Sequence, residues 1–97
     1  MYVVDLAYKT SKDAIEPHLQ SHLAFIKKYI EDETFLAAGP KSPRSGGVIL
    51  VSEKLSRSQL DELLRQDPFY KFGIAEYTVA EFSANHHHPA LGAILQD

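Results

Sequence analysis

Three places in this 97-residue chain carry side chains that could do chemistry. The first is a pair of histidines, His18 and His22, one helical turn apart. Imidazole titrates closest to working pH of all side chains, so a positioned histidine can take or give a proton. The second is Asp67, set before Pro68 and followed by Phe69 and Tyr70. A carboxylate held at a rigid turn can orient an imidazole and support its charged form. Asp before Pro is equally ordinary turn chemistry. The third is the loop from Gly39 to Gly47, with Lys41, Ser42, Arg44 and Ser45 between glycines. Backbone amides and two cations there suit an anionic group, and they also suit a solvated hairpin tip. Gly39 either leaves a cavity open that bulk would fill, or marks a bulge.

Other readings of the same residues stay open at this level. His22 also fits a core-edge histidine bonded to a backbone carbonyl. His18 and His22 would supply only two metal ligands, with Asp67 or Glu16 as a third, and no zinc-type motif is present. A metal is therefore not expected. His86, His87 and His88 read as a polar tail, and Asp5 as a mid-strand carboxylate facing a pocket or an interface.

The elements that must position these groups can be read from periodicity. Tyr2 to Lys9 alternate, with Tyr2, Val4, Leu6 and Tyr8 on one face, which predicts a strand. Ile15, Leu19, Leu23, Ile26 and Ile30 predict a helix from about Glu16 to Asp32, with Pro17 near its first turn. At 100° per residue His22 lies roughly 50° from this stripe, on the inward side, and His18 roughly 90° away at the rim. Phe25 and Tyr29 follow down the same edge. Phe35–Pro40 and Val48–Val51 read as two strands of a hairpin around the glycine-rich loop. Ser56 and Gln59 form a capping-box signature ahead of Leu60, Leu63 and Leu64. This second helix must stop before Asp67-Pro68. Ile74–Phe82 is the last strand, and residues 84–97 form a tail with one helical turn. The domain is expected over residues 1–83.

The order β-α-β-β-α-β predicts a ferredoxin-like α+β fold, an antiparallel four-stranded sheet with two helices on one face. The strands carry apolar residues on both faces, so the second face calls for a partner, and a homodimer through the sheets is the simplest cover. With 10 Lys and Arg against 13 Asp and Glu, and no basic stripe, nucleic-acid binding is not expected. No apolar run approaches the roughly 20 residues of a membrane span, and Met1–Asp5 does not read as a signal peptide. The absence of cysteine excludes disulfides and thiolate chemistry. A cytoplasmic protein is the expectation.

Taken together, these residues resemble the YciI-like family of the dimeric α/β-barrel superfamily. The resemblance is carried by His22-Leu23, Ala38-Gly39-Pro40, Gly46-Gly47, Asp67-Pro68-Phe69, Gly73 and Glu81-Phe82, in that order over residues 1–83. It implies homodimers with sheets face to face and an active site centred on a His/Asp pair, here His22 and Asp67. It also implies chemistry such as the dehydrochlorination of a chlorinated hydroxyhydroquinone, or isomerisation. The expectation is a cofactor-independent enzyme with His22 as base and Asp67 as its orienting partner. Lys41, Arg44 or Ser45 would stabilise an oxyanion, His18 would sit at the pocket mouth, and Tyr8, Phe25, Tyr29 and Phe69 would wall a ring. The rival expectation is a non-catalytic small-molecule-binding dimer.

Overall fold

The alternation of residues 2–8 becomes an interior strand. In the computed structural model, which describes residues 1–95, β1 (Tyr2–Tyr8) buries Tyr2, Val4 and Leu6 and leaves Val3, Asp5 and Ala7 half-exposed. It is followed by α1 (Lys12–Glu31), β2 (Phe35–Pro40), β3 (Gly46–Val51), α2 (Arg57–Leu64), α3 (Pro68–Lys71) and β4 (Ala75–Glu81). The four strands form one antiparallel sheet in the order β2-β3-β1-β4. The expected ferredoxin-like fold is therefore present.

The core lies between the helices and one face of the sheet. Val4, Phe35, Ile49, Val51, Leu60 and Phe69 are each at most 2% exposed. Full burial of such a side chain stabilises the fold by roughly 1.5–3 kcal/mol. The capping box is formed: Ser56 Oγ accepts from the Gln59 amide, and Gln59 Oε1 accepts from the Ser56 amide. It starts α2 so that Leu60 and Leu64 point inward.

Helix α1 departs from the sequence reading in two ways. It begins at Lys12, not Glu16, after an extended Ser11 whose carbonyl accepts from Ala14 and Ile15. Pro17 thus lies inside the helix, where it removes one bond to the Asp13 carbonyl. Pro17 is exposed, so water can serve the freed group. The inward face is also rotated. Leu23 is 48% exposed and Ile30 37%, while Phe25 is buried and Tyr29 half-buried. Phe25 and Tyr29 both pack on Phe35, at 5.8 and 5.4 Å between ring centroids. Those contacts turn the helix by roughly 50°, which brings His22 close to the centre of the inward face.

The hairpin differs too. Gly46 and Gly47 are strand residues, paired with Ala7 and Leu6 of β1. Gly46 has φ +154°, and a Cβ there would collide with the Leu6 carbonyl. Only glycine lets β3 reach β1 at this end of the sheet. The single-turn helix α3, directly after Asp67, was not anticipated.

The outer sheet face carries Val3, Ala7, Ala37, Leu50 and Ala80, crossed by a Lys41–Asp5 ion pair of 2.8 Å. The tail has a 3-10 turn (Pro89–Leu91) and one turn of helix, α4 (Gly92–Leu95). His88 Nδ1 accepts from the Ala90 amide at 2.9 Å, so this histidine caps the turn. Gln96 and Asp97 of the expected tail lie outside the described residues. Among the described residues no helix is long and apolar enough to cross a membrane.

Candidate active site

Asp67 is turned inward by its neighbour. A residue before proline avoids the helical region, and Asp67 is extended, with φ −67° and ψ 128°. Its side chain folds back over α3 and accepts the Phe69 amide at 3.0 Å on Oδ1. The carboxylate is 0% exposed. The same Oδ1 lies 2.8 Å from His22 Nδ1, and Oδ2 accepts the Tyr77 hydroxyl. One carboxylate therefore receives donors from α1, α3 and β4.

Phe69 fixes both members of the pair. Its amide holds Asp67, and its ring stacks on the His22 imidazole at 3.8 Å with an interplanar angle of 3°. A second stack, His18 on Phe72 at 4.2 Å, fastens the same two helices together. His22 Nδ1 donates to the carboxylate, so Nε2 is the nitrogen left for a ligand. Tyr77 is held as a neutral donor. Burial, then the bond to Asp67 and its charge, push its hydroxyl above the usual tyrosine range.

His22 stands on the wall of a cavity of about 360 Å³, between α1 and the β2–β3 hairpin. Tyr8, Arg44 and Phe69 share that wall, with Leu6, Leu19 and Ile26 as apolar lining. Arg44 is the one cationic side chain on it among the described residues. Gly39 borders the space with its backbone, but its pairing with Val48 puts it on the outer sheet face with Ala37, so bulk there would not fill the cavity. The β2 irregularity falls between Phe35 and Ala37, so Gly39 is not a bulge.

The structure thus gathers His22, Asp67, Tyr8, Arg44 and Phe69, and separates the other expected site residues. Phe25 and Tyr29 are spent on the core against Phe35, because α1 is rotated. Lys41 is paired with Asp5 on the outer sheet face. Ser45 bonds the Pro43 carbonyl at the hairpin tip, 3.4 Å away. His18 is stacked on Phe72 and does not line the cavity. Among the described residues no three His, Asp or Glu side chains converge as metal ligands would.

Tyr77, which bonds Asp67, is not among the expected site residues; the sequence reads it only as a strand former. A signal existed: Tyr77 shares the alternation of Ala75 and Val79. Its partner across the sheet is Leu6, which faces the helices.

A model of the YCII-related domain matches residues 1–83. No curated protein sequence matches the chain. Among solved structures, the chain is similar to 5-chloro-2-hydroxyhydroquinone dehydrochlorinase (TftG) from Burkholderia phenoliruptrix AC1100, in complex with 2,5-dihydroxybenzoquinone. The TM-score is 0.68 at 15% identity, over 86% of this chain and 94% of that one. At this identity the likeness concerns the fold alone.

The geometry predicts the tautomer of His22. Nitrogen-15 NMR of the neutral protein should show its proton on Nδ1, and Asp67→Asn should abolish that preference. A wild-type His22 protonated on Nε2 would contradict the hydrogen-bond assignment.

Proposed function

The chain belongs to the YCII-related family, and on that premise we propose that it is a small, cofactor-independent acid–base enzyme acting on a cyclic or aromatic oxygenated substrate. The observation that carries this reading is the 2.8 Å Asp67–His22 bond on the wall of a largely apolar cavity. Nε2 of His22 takes a proton from a substrate O–H or C–H. Asp67 keeps the ring oriented and supports the imidazolium that forms. If a leaving group such as chloride then departs with its bonding pair, the net change is loss of HX, a lyase reaction. If the proton returns at another atom, the net change is isomerisation. Neither route needs an external oxidant or reductant.

The other wall residues support a ring-shaped, electron-rich substrate. Phe69 and Tyr8 offer aromatic surface, and Arg44 is available for developing negative charge on oxygen. The similar dehydrochlorinase is named for a chlorinated hydroxyhydroquinone and holds a dihydroxybenzoquinone. A single ring of that class suits a cavity of about 360 Å³.

Chloride release from 5-chloro-2-hydroxyhydroquinone is the first assay. His22→Ala should lower kcat by about 10²–10⁴-fold while the protein stays folded. Wild-type-like turnover in that variant would sink the acid–base role. Binding without turnover in the native protein would instead return the site to a non-catalytic binding module.

Ala38→Leu tests the cavity itself. Ala38 lines it, pairs with the inward-facing Ile49 and is exposed, so unfolding free energy should move by no more than about 1 kcal/mol. Affinity for 2,5-dihydroxybenzoquinone should fall by about tenfold or more, or about 1.4 kcal/mol. Unchanged affinity would place the ligand elsewhere.

The assembly proposed is a homodimer joined through the outer sheet face. Val3, Ala37, Leu50 and Ala80 would be covered there. Light scattering should give twice the chain mass, and Leu50→Lys should shift the protein toward monomer. A monomeric native protein would refute this assembly.

A further inference from the structure

We propose that Tyr77 is a positioning residue for this site: its hydroxyl fixes the Asp67 carboxylate, and through it the presentation of His22 Nε2 to the cavity. The inference rests on the acid–base reading of His22. Tyr77 does not line the cavity, so it acts only through Asp67.

The distribution of donors around the carboxylate carries the argument. Oδ1 already accepts two, the Phe69 amide at 3.0 Å and His22 Nδ1 at 2.8 Å. Oδ2 has Tyr77. Asp67 is 0% exposed, so water cannot stand in for a lost donor. Without Tyr77, Oδ2 becomes a buried anionic oxygen with no partner. The carboxylate must then turn toward one of its remaining donors. That rotation loosens its hold on Nδ1 and the tautomer that hold selects. The tyrosine ring is itself constrained. It opposes Leu6 across the sheet, and Tyr70 packs edge-on against it at 5.4 Å.

The test is Tyr77→Phe, which keeps the ring and removes the hydroxyl. Partner groups that orient an imidazole typically matter by about 10- to 100-fold. kcat on 5-chloro-2-hydroxyhydroquinone should fall on that scale. KM and the affinity for 2,5-dihydroxybenzoquinone should stay within about twofold, since the residue touches no ligand. In nitrogen-15 NMR the sharp Nδ1–H signal of His22 should broaden or give way to mixed tautomers. A purely structural Tyr77 would lower the melting temperature but leave the His22 signal and kcat unchanged, which would overturn the proposal. Should Tyr77→Phe not fold, 3-fluorotyrosine at position 77 keeps the hydroxyl and makes it a stronger donor. The Nδ1 proton of His22 should then move upfield, and no response would overturn the proposal as well. A native protein inactive on the probe would count against the acid–base reading alone, because the NMR arm still decides the Tyr77–Asp67–His22 linkage.

Discussion

A carboxylate with no access to water has to be satisfied by protein donors, and the rest of the site follows from that constraint on Asp67. Removing an ionised carboxylate from water costs several kcal/mol. Hydrogen bonds to a charged group return about 1.5–3 kcal/mol each. Asp67 collects three, from the Phe69 amide, His22 and Tyr77. Each donor belongs to a different element, so α1, α3 and β4 are tied at one point. The pair is thus a structural knot as well as the proposed acid–base group. Weakening any one donor strands a buried charge, which is why its geometry should be unusually well defined.

The cavity depends on the complementary constraint that the hairpin carry almost no side-chain bulk. Gly46 and Gly47 bring β3 close to β1, and with Gly39 they border the space in front of His22 with backbone alone. Helix α1 is divided in purpose. One face presents Leu19, His22 and Ile26 to the cavity, while Phe25 and Tyr29 on the adjoining face close the core over Phe35. A low-polarity wall strengthens the electrostatic influence of the few polar groups on it. Arg44 and His22 are therefore the side chains with the largest leverage over the ring proposed to bind there.

Much of this was legible in the sequence, and what was not has a physical explanation. The order of elements followed from periodicity and turn chemistry, because those signals are local. His22 was placed inward by helical angle alone. Asp67 was marked by the proline behind it, but 45 residues separate it from His22. No spacing rule joins groups that far apart, and only the family resemblance paired them. The errors also have one character. Phe25 and Tyr29 were expected at the pocket because five aliphatic residues were taken to define the core face of α1. The aromatic contacts with Phe35 rotate the helix instead, and side-chain volume outweighs the count of aliphatic positions. Lys41 was expected near the substrate, but Asp5 across the sheet captures it. Tyr77 needed the register of β4 against β1, and register is set by long-range pairing that one strand does not encode.

The position of the His/Asp pair bears on what a dimer would do for this protein. Every donor to Asp67 comes from the same chain as Asp67 itself. The pair is therefore assembled by folding alone, without waiting for association. The outer sheet face lies on the other side of β1 from the helices, so covering it would act on stability first. It would reach the site only through the strands, since Leu6 and Ala7 are adjacent on β1 and Gly46 and Gly47 pair with them. Those two glycines end the hairpin at the cavity wall. A dimer through the outer face would therefore bear on the cavity by way of Gly46 and Gly47, while the bond between Asp67 and His22 is anchored separately on α1, α3 and β4.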